Sequence, residues 1–153
     1  MKKLLLYIFV LTVSSALAQK VAVIGLNHVS NPDGFTFVAT ENLAVNEVVY
    51  FTENEYDNVN NKFNDLIEGV VKFTVTSAIS KGNVVYVAET GAITNIFTVT
   101  TSAGAGNAVK TSTSGDFAIA TAGESLYAYT DTDENPSNGI TEIYAVLYSG
   151  TSS

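Results

Sequence analysis

Cysteine, tryptophan and arginine are absent from this chain, and histidine occurs once, at His28. Without thiols and with a single imidazole, zinc centres of the usual ligand sets, cysteine nucleophiles and haem ligation drop out. The missing arginine removes the planar fork that grips a phosphate in two places. Charge points the same way, because 7 basic residues face 15 acidic ones and leave a net charge of −8. Such a surface repels phosphate backbones, so nucleic acid is not an expected partner; acidity of this kind serves solubility or the binding of cations. Proline is scarce, and the sole long apolar run lies at the very start.

That run, "LLLYIFVLTV", follows Lys2 and Lys3 and leads to the small-x-small triplet Ala16-Leu17-Ala18. Charged start, apolar middle and cleavage site predict a secretory signal peptide over residues 1–18. It is too short for a permanent anchor, which needs roughly 20 residues, so no membrane insertion is expected after cleavage. The product is expected to be secreted, outside the cell or at its surface. Residues 19–153 suit one domain, or one module of a longer protein, large enough to bury a core without disulfides.

Alternation dominates the remainder of the chain. In "GVVKFTVTS", Val71, Phe73 and Val75 alternate with Lys72, Thr74 and Thr76, the period of a strand with one buried face. "KVAVIGL", "GFTFVAT", "EVVYFT", "NVVYVAE", "NIFTVT", "DFAIA", "SLYAYT" and "TEIYAVLY" read alike, separated by turn chemistry such as "SNPDG", "SKGN" and "TDTDENPSNG". The fold class is therefore all-β, a sandwich of about eight or nine short, mostly antiparallel strands. Only "NKFNDLIEG" offers a helical turn, and "TTSAGAGNAVKTSTSG", Thr100 to Gly115, reads as a long flexible loop or irregular edge.

Taken in order, "VAVIGLN", "DGFTFVA", "VVYFTENEY", "EGVVKFT", "GNVV" and "AGESLYAY" resemble an Ig-like, lamin-tail-like module of bacterial secreted and surface proteins. The pattern of that family runs roughly as A-x-x-G-x-N, D-x-F-x-F-V, F-T-D-N-x-W, G-E-G-x-x-x-F/W-T and S-G-D-x-L-L-A-Y. Gly25 and Asn27 match its first block, Asp33, Phe35, Phe37 and Val38 its second, and Phe51, Thr52 and Asn54 its third. Glu53 stands where Asp is usual and Tyr56 where Trp is usual. The resemblance implies an Ig-like sandwich at the cell surface and carries no catalytic residues; such modules look like non-catalytic parts of adhesins, surface proteins and larger secreted hydrolases.

Two acidic stretches carry candidate chemistry. In "FTENEYDNVNNKFND", Glu53, Glu55 and Asp57 share one parity, and calcium takes oxygen ligands from loops of this kind. The plainer reading is a solvated loop whose asparagines adopt left-handed turns and bond their own backbone. In "DTDENPSNG", Asp131, Asp133 and Asn135 fall at alternate positions, but Pro136 sits where an EF-hand needs glycine and the closing glutamate is missing, which favours a hairpin loop. Calcium is the one cofactor these residues suggest. A glycosidase pair of Glu53 and Glu55 would need a cleft and an apolar environment that raises one pKa, and the sequence indicates neither.

Aromatic residues supply the last candidate. With "SLYAYT" and "TEIYAVLY" paired as a hairpin, Tyr127 and Tyr129 share one face and Tyr144 and Tyr148 share one on the partner strand, opposite the aliphatic Leu126, Ala128, Ile143, Ala145 and Leu147. Turned outward, this stripe is a platform for sugar rings or for another protein; turned under a neighbouring loop, it is packing. The function expected from all of this is a secreted, non-catalytic surface, adhesion or structural interaction module whose partner is a protein or glycan at the cell surface. The alternatives are a glycan-binding module using the tyrosines, assisted by calcium, and the N-terminal accessory domain of a larger secreted hydrolase. Exposed sheet edges also leave self-assembly open.

Overall fold

The period-two runs become strands. A computed structural model describes residues 19–28, 33–64, 66–90, 96–111, 115–119 and 123–150; the expected signal peptide and Asp65 lie outside the described residues. In chain order the strands are β1 (Val21–Asn27), β2 (Gly34–Ala39), β3 (Val48–Thr52), β4 (Tyr56–Asp57), β5 (Lys62–Phe63) and β6 (Val70–Ser77). Then come β7 (Val84–Glu89), β8 (Phe97–Thr101), β9 (Ala105–Lys110), β10 (Ser125–Thr130) and β11 (Glu142–Tyr148). One sheet has the order β1-β2-β7-β8 and the other β11-β10-β3-β6-β9, every pairing antiparallel, and β4 and β5 form a small hairpin apart.

The two sheets lie face to face over one apolar core, an all-β sandwich. Each strand contributes its inward parity: Phe35 and Phe37 from β2, Phe51 from β3, Val71, Phe73 and Val75 from β6, Val85 and Val87 from β7. Ring centroids of Phe51 lie 4.5 Å from Phe35 and 5.2 Å from Phe37, and Phe37 meets Phe73 edge-on at 5.1 Å, the offset and tilted geometries that aromatic quadrupoles favour.

Several expectations fail for physical reasons. "NKFNDLIEG" makes no helical turn among its described residues, because Lys62 and Phe63 pair with Asp57 and Tyr56 instead. Within the expected loop of Thr100 to Gly115, residues Ala105–Lys110 form β9, an edge strand along β6. "DFAIA" forms no strand where it is described. Phe117 and Ile119 are buried there, while the Asp116 carbonyl accepts a bond from the Gly69 amide and the Ala118 amide donates to the Glu53 carboxylate. Gly69 allows that approach, since a Cβ on it would stand 2.5 Å from the Phe117 nitrogen.

The tyrosine stripe needs the largest correction. The outer face of β3 and β10 is covered by the β4–β5 hairpin, giving a second apolar cluster of Tyr50, Phe63, Val70, Tyr129 and Ile140, with Tyr56 and Tyr127 packed against it. Tyr129 is fully buried and Tyr127 half-buried, stacked among Phe63 and Tyr56 at centroid distances of 4.9–6.0 Å. A β-bulge in the β10–β11 register, where Ala128 faces Ala145 and Tyr129 faces Ile143, leaves Tyr144 as the extra residue. Parity therefore slips: Tyr144 packs toward the main core and Ile143 toward the second cluster, and Tyr148 alone of the four is largely exposed. No outward stripe of four tyrosines exists.

Candidate functional site: an acidic cleft at the end of β3

Strand β3 ends at Thr52 and is followed by Glu53 and Asn54, all three buried polar residues. The Thr52 hydroxyl donates to the Gly69 carbonyl at 3.0 Å, and the Asn54 amide nitrogen Nδ2 donates to Thr52 Oγ1 at 2.6 Å and to the Glu68 carbonyl at 3.0 Å. The Glu68 amide returns a bond to Asn54 Oδ1 at 3.1 Å. These bonds tie the exit of β3 to the entry of β6 and satisfy backbone groups that no ladder reaches. Thr52 and Asn54 thus form a clamp between strands.

Antiparallel pairing then assembles the site. Thr52 is opposite Val70 on one side and Tyr127 on the other, so the residues that follow β3 run beside the segments leading into β6 and β10. Glu68, two residues ahead of β6, and Glu124, directly ahead of β10, lie on those segments. Together with Glu53, Glu55, Tyr56 and Tyr127 they line a cavity of about 390 Å³, whose remaining lining residues are Gly123 and Ser125. None of these residues is basic. An adjoining hollow of about 260 Å³ shares Glu55 and Glu68.

Glu53 stands out within the cleft. It is 4% exposed, its Oε1 accepts the Ala118 amide at 3.1 Å, and its Oε2 has no hydrogen-bond partner among the described residues. Burial, with the neighbouring charges of Glu68, Glu124 and Asp33, pushes its carboxyl up to about 8 against the pull of the Ala118 amide. Burial also raises Glu68, helped by Glu124 and Glu55. At neutral pH Glu53 carries its proton, and a buried hydroxyl without an acceptor costs about 1–3 kcal/mol.

A carboxyl whose pKa is higher folded than unfolded holds more protons in the native state between the two values, so stability declines as pH rises from about 4.5 to about 8. Urea unfolding at pH 5, 7 and 9 is therefore expected to show falling stability. Glu53→Gln, which keeps the shape and cannot ionise, should remove most of the decline and be more stable than wild type at pH 9 by roughly 3 kcal/mol. Parallel pH profiles for the two proteins would contradict a proton-bearing Glu53.

The other sequence-derived candidates do not join this cleft. Asp57 caps its own hairpin turn, accepting the Val59 amide at 2.9 Å, the Asn60 amide at 3.1 Å and Asn60 Nδ2 at 2.7 Å, bonds that hold its carboxyl below the usual range, the Asn60 side chain foremost. Asp131 accepts the Thr132 amide at 2.6 Å, Asp133 the Asn135 amide at 3.1 Å and Asn138 Nδ2 at 2.8 Å, and Asn135 the Ser137 hydroxyl at 2.6 Å. These are the self-bonded turns of the plainer reading. Among the described residues no three carboxylate, imidazole or thiol side chains gather where they would hold a metal ion; Glu53 and Glu55 line the cleft, while Asp57, Asp131, Asp133 and Asn135 bond within their own turns.

Glu68 and Glu124 escaped the sequence reading. Each is a single acid beside a glycine just ahead of a strand, in "EGVVKF" and "GESLYAY", and nothing in either segment says that both strands flank β3. Set against protein-family models, curated proteins and solved structures, the chain matches none.

Proposed function

We propose that the chain is a secreted, non-catalytic interaction module of Ig-like, lamin-tail-like type that meets a partner at the cell surface through the acidic cleft at the end of β3. The observation that carries this reading is the unpartnered Oε2 of Glu53 in the wall of that cleft. A buried polar atom with no bond is a standing penalty, and a ligand that supplies the missing partner relieves it. The Ala118 amide holds the other carboxyl oxygen of Glu53 in place, a condition that favours a preorganised contact.

Labelled protein added to the cells that secrete it is expected to bind saturably. Glu124→Lys, which reverses one wall of the cleft, should abolish that binding while leaving the melting temperature within a few degrees. Absence of saturable binding, or binding indifferent to Glu124→Lys, would overturn the reading.

A second reading starts from the same carboxyl. A protonated acid beside ionised carboxylates in an open cleft is the arrangement used to cleave glycosidic bonds, and the cleft and raised pKa that the sequence did not indicate are both present at Glu53. Turnover of chromogenic glycosides that disappears in Glu53→Gln would establish it, and no turnover across a panel removes it.

A further inference from the structure

The chemistry of the ligand can be narrowed, on the footing that the cleft is a binding site as proposed. We infer that the cleft receives a cationic side chain, the ammonium of a lysine or the guanidinium of an arginine, presented by a partner protein. Among the described residues four glutamates and no basic side chain line it, so it attracts positive charge and repels negative. Once Glu53 is ionised, its buried Oε2 lacks a donor, and ammonium and guanidinium groups are donors only.

A bare metal ion is the wrong shape for this space. Calcium draws six to eight oxygens to about 2.3–2.6 Å, whereas no three of the acidic groups gather closely enough for a metal and the cavity measures about 390 Å³. A long side chain suits it better, with its apolar stem along the walls and its charged head among the carboxylates. The rings of Tyr56 and Tyr127, 6.0 Å apart and inclined at 44°, both line the cleft and offer the aromatic faces on which a stem and a cation rest.

Binding of this kind exchanges one cation for another. Glu53 is faced by the Ala118 amide of the segment 116–119, by Glu68 ahead of β6, by Glu124 ahead of β10 and by Asp33 ahead of β2, with Glu55 beside it on its own segment. With no basic group lining the cleft, the proton on Glu53 is what relieves the repulsion among these acids. An arriving ammonium takes over that role, Glu53 ionises, and the proton leaves to solvent. Affinity therefore rises with pH until Glu53 is already ionised in the free protein.

Titration of the ¹⁵N-labelled protein followed by NMR tests this with five probes: N-acetyl-lysine amide, N-acetyl-arginine amide, the uncharged N-acetyl-norleucine amide, putrescine and calcium chloride. The lysine and arginine derivatives are expected to shift the amides of Ala118, Gly123, Glu124 and Ser125 saturably, and norleucine amide is not. Affinity should rise about tenfold from pH 7 to pH 9, the change expected when a group of pKa near 8 must lose its proton. Glu53→Gln should flatten that dependence, and Glu68→Gln with Glu124→Gln should weaken binding more than tenfold. Equal shifts with norleucine amide, affinity constant between pH 7 and 9, or saturation by calcium or putrescine in place of the amino-acid derivatives would overturn the inference. If cleft-dependent binding to cells persists while no cationic derivative shifts these amides, the inference fails and the interaction reading stands.

Discussion

Phe51→Ala is expected to lower the stability of the fold by about 4 kcal/mol, the range found when a fully buried phenylalanine is truncated in a core that cannot collapse around the gap. Phe51 is fully buried at the centre of the sandwich, with Phe35 and Phe37 of the opposite sheet within 5.2 Å of its ring centroid. Loss of the ring strips both neighbours of their contact at once. In a domain of this length the melting temperature should fall by about 15 °C, and against a total stability of about 5–15 kcal/mol the variant is marginal. Phe51→Leu, which keeps most of the volume, should lose less than half as much. Urea and thermal unfolding of both variants check this, and a loss below about 1 kcal/mol for Phe51→Ala would mean that β3 does not carry the centre of the core.

Asn54→Ala should come next, at about 3 kcal/mol, although it removes no apolar surface of note. Asn54 donates to Thr52 Oγ1 and the Glu68 carbonyl and accepts the Glu68 amide, in a place where Asn54 itself is 1% exposed. Alanine leaves the part-buried backbone groups of Glu68 without their Asn54 partners and Thr52 Oγ1 without its donor, and a buried group so orphaned costs about 1–3 kcal/mol. Amide exchange at Glu68 should accelerate more than at core amides such as Phe73. Asn54→Asp keeps the acceptor for the Glu68 amide but loses both donors and adds an acid near Glu53 and Glu68, so its penalty should be larger at pH 9 than at pH 5. Unchanged exchange at Glu68 in Asn54→Ala would count against the clamp.

Both variants act on the same short stretch, whose odd and even residues divide the work. Phe51 turns inward and Tyr50 faces the second cluster, Thr52 and Asn54 hold the entry of β6, and Glu53 meets the cleft. That division is legible in "VYFTEN" because alternation is a local property: two residues apart on a strand means the same side. The same rule found β1, β2, β3, β6, β7, β8, β10 and β11.

It could not find β9. "AGNAVK" has little apolar pattern, and the reason lies across the sheet: a Cβ on Gly106 would stand 2.1 Å from Cζ of the buried Phe73. Small residues there make room for a neighbour's ring, a demand invisible in the segment itself. Nor could alternation see that β10 is covered on both faces. Leu126 and Ala128 turn to the main core as their parity requires, yet Tyr129 on the opposite parity is equally buried, because the β4–β5 hairpin folds back over it. Asn61 secures that hairpin with φ of 51°, its Nδ2 bonded to the Ile140 carbonyl at 2.8 Å and its carbonyl accepting the Ile140 amide at 2.9 Å.

By itself, then, the sequence determined the all-β class, the places of most strands, the inward residues of most of them and the acidic balance of the whole, since all of these follow from spacing and composition. Tertiary structure alone decided which acids meet. Glu53, Glu68 and Glu124 come together because β3 runs antiparallel between β6 and β10, and the unpartnered state of Glu53 arises from what those two neighbours bring to the end of β3 and what they leave out. Pairing order is a relation among distant segments, and so is the cleft.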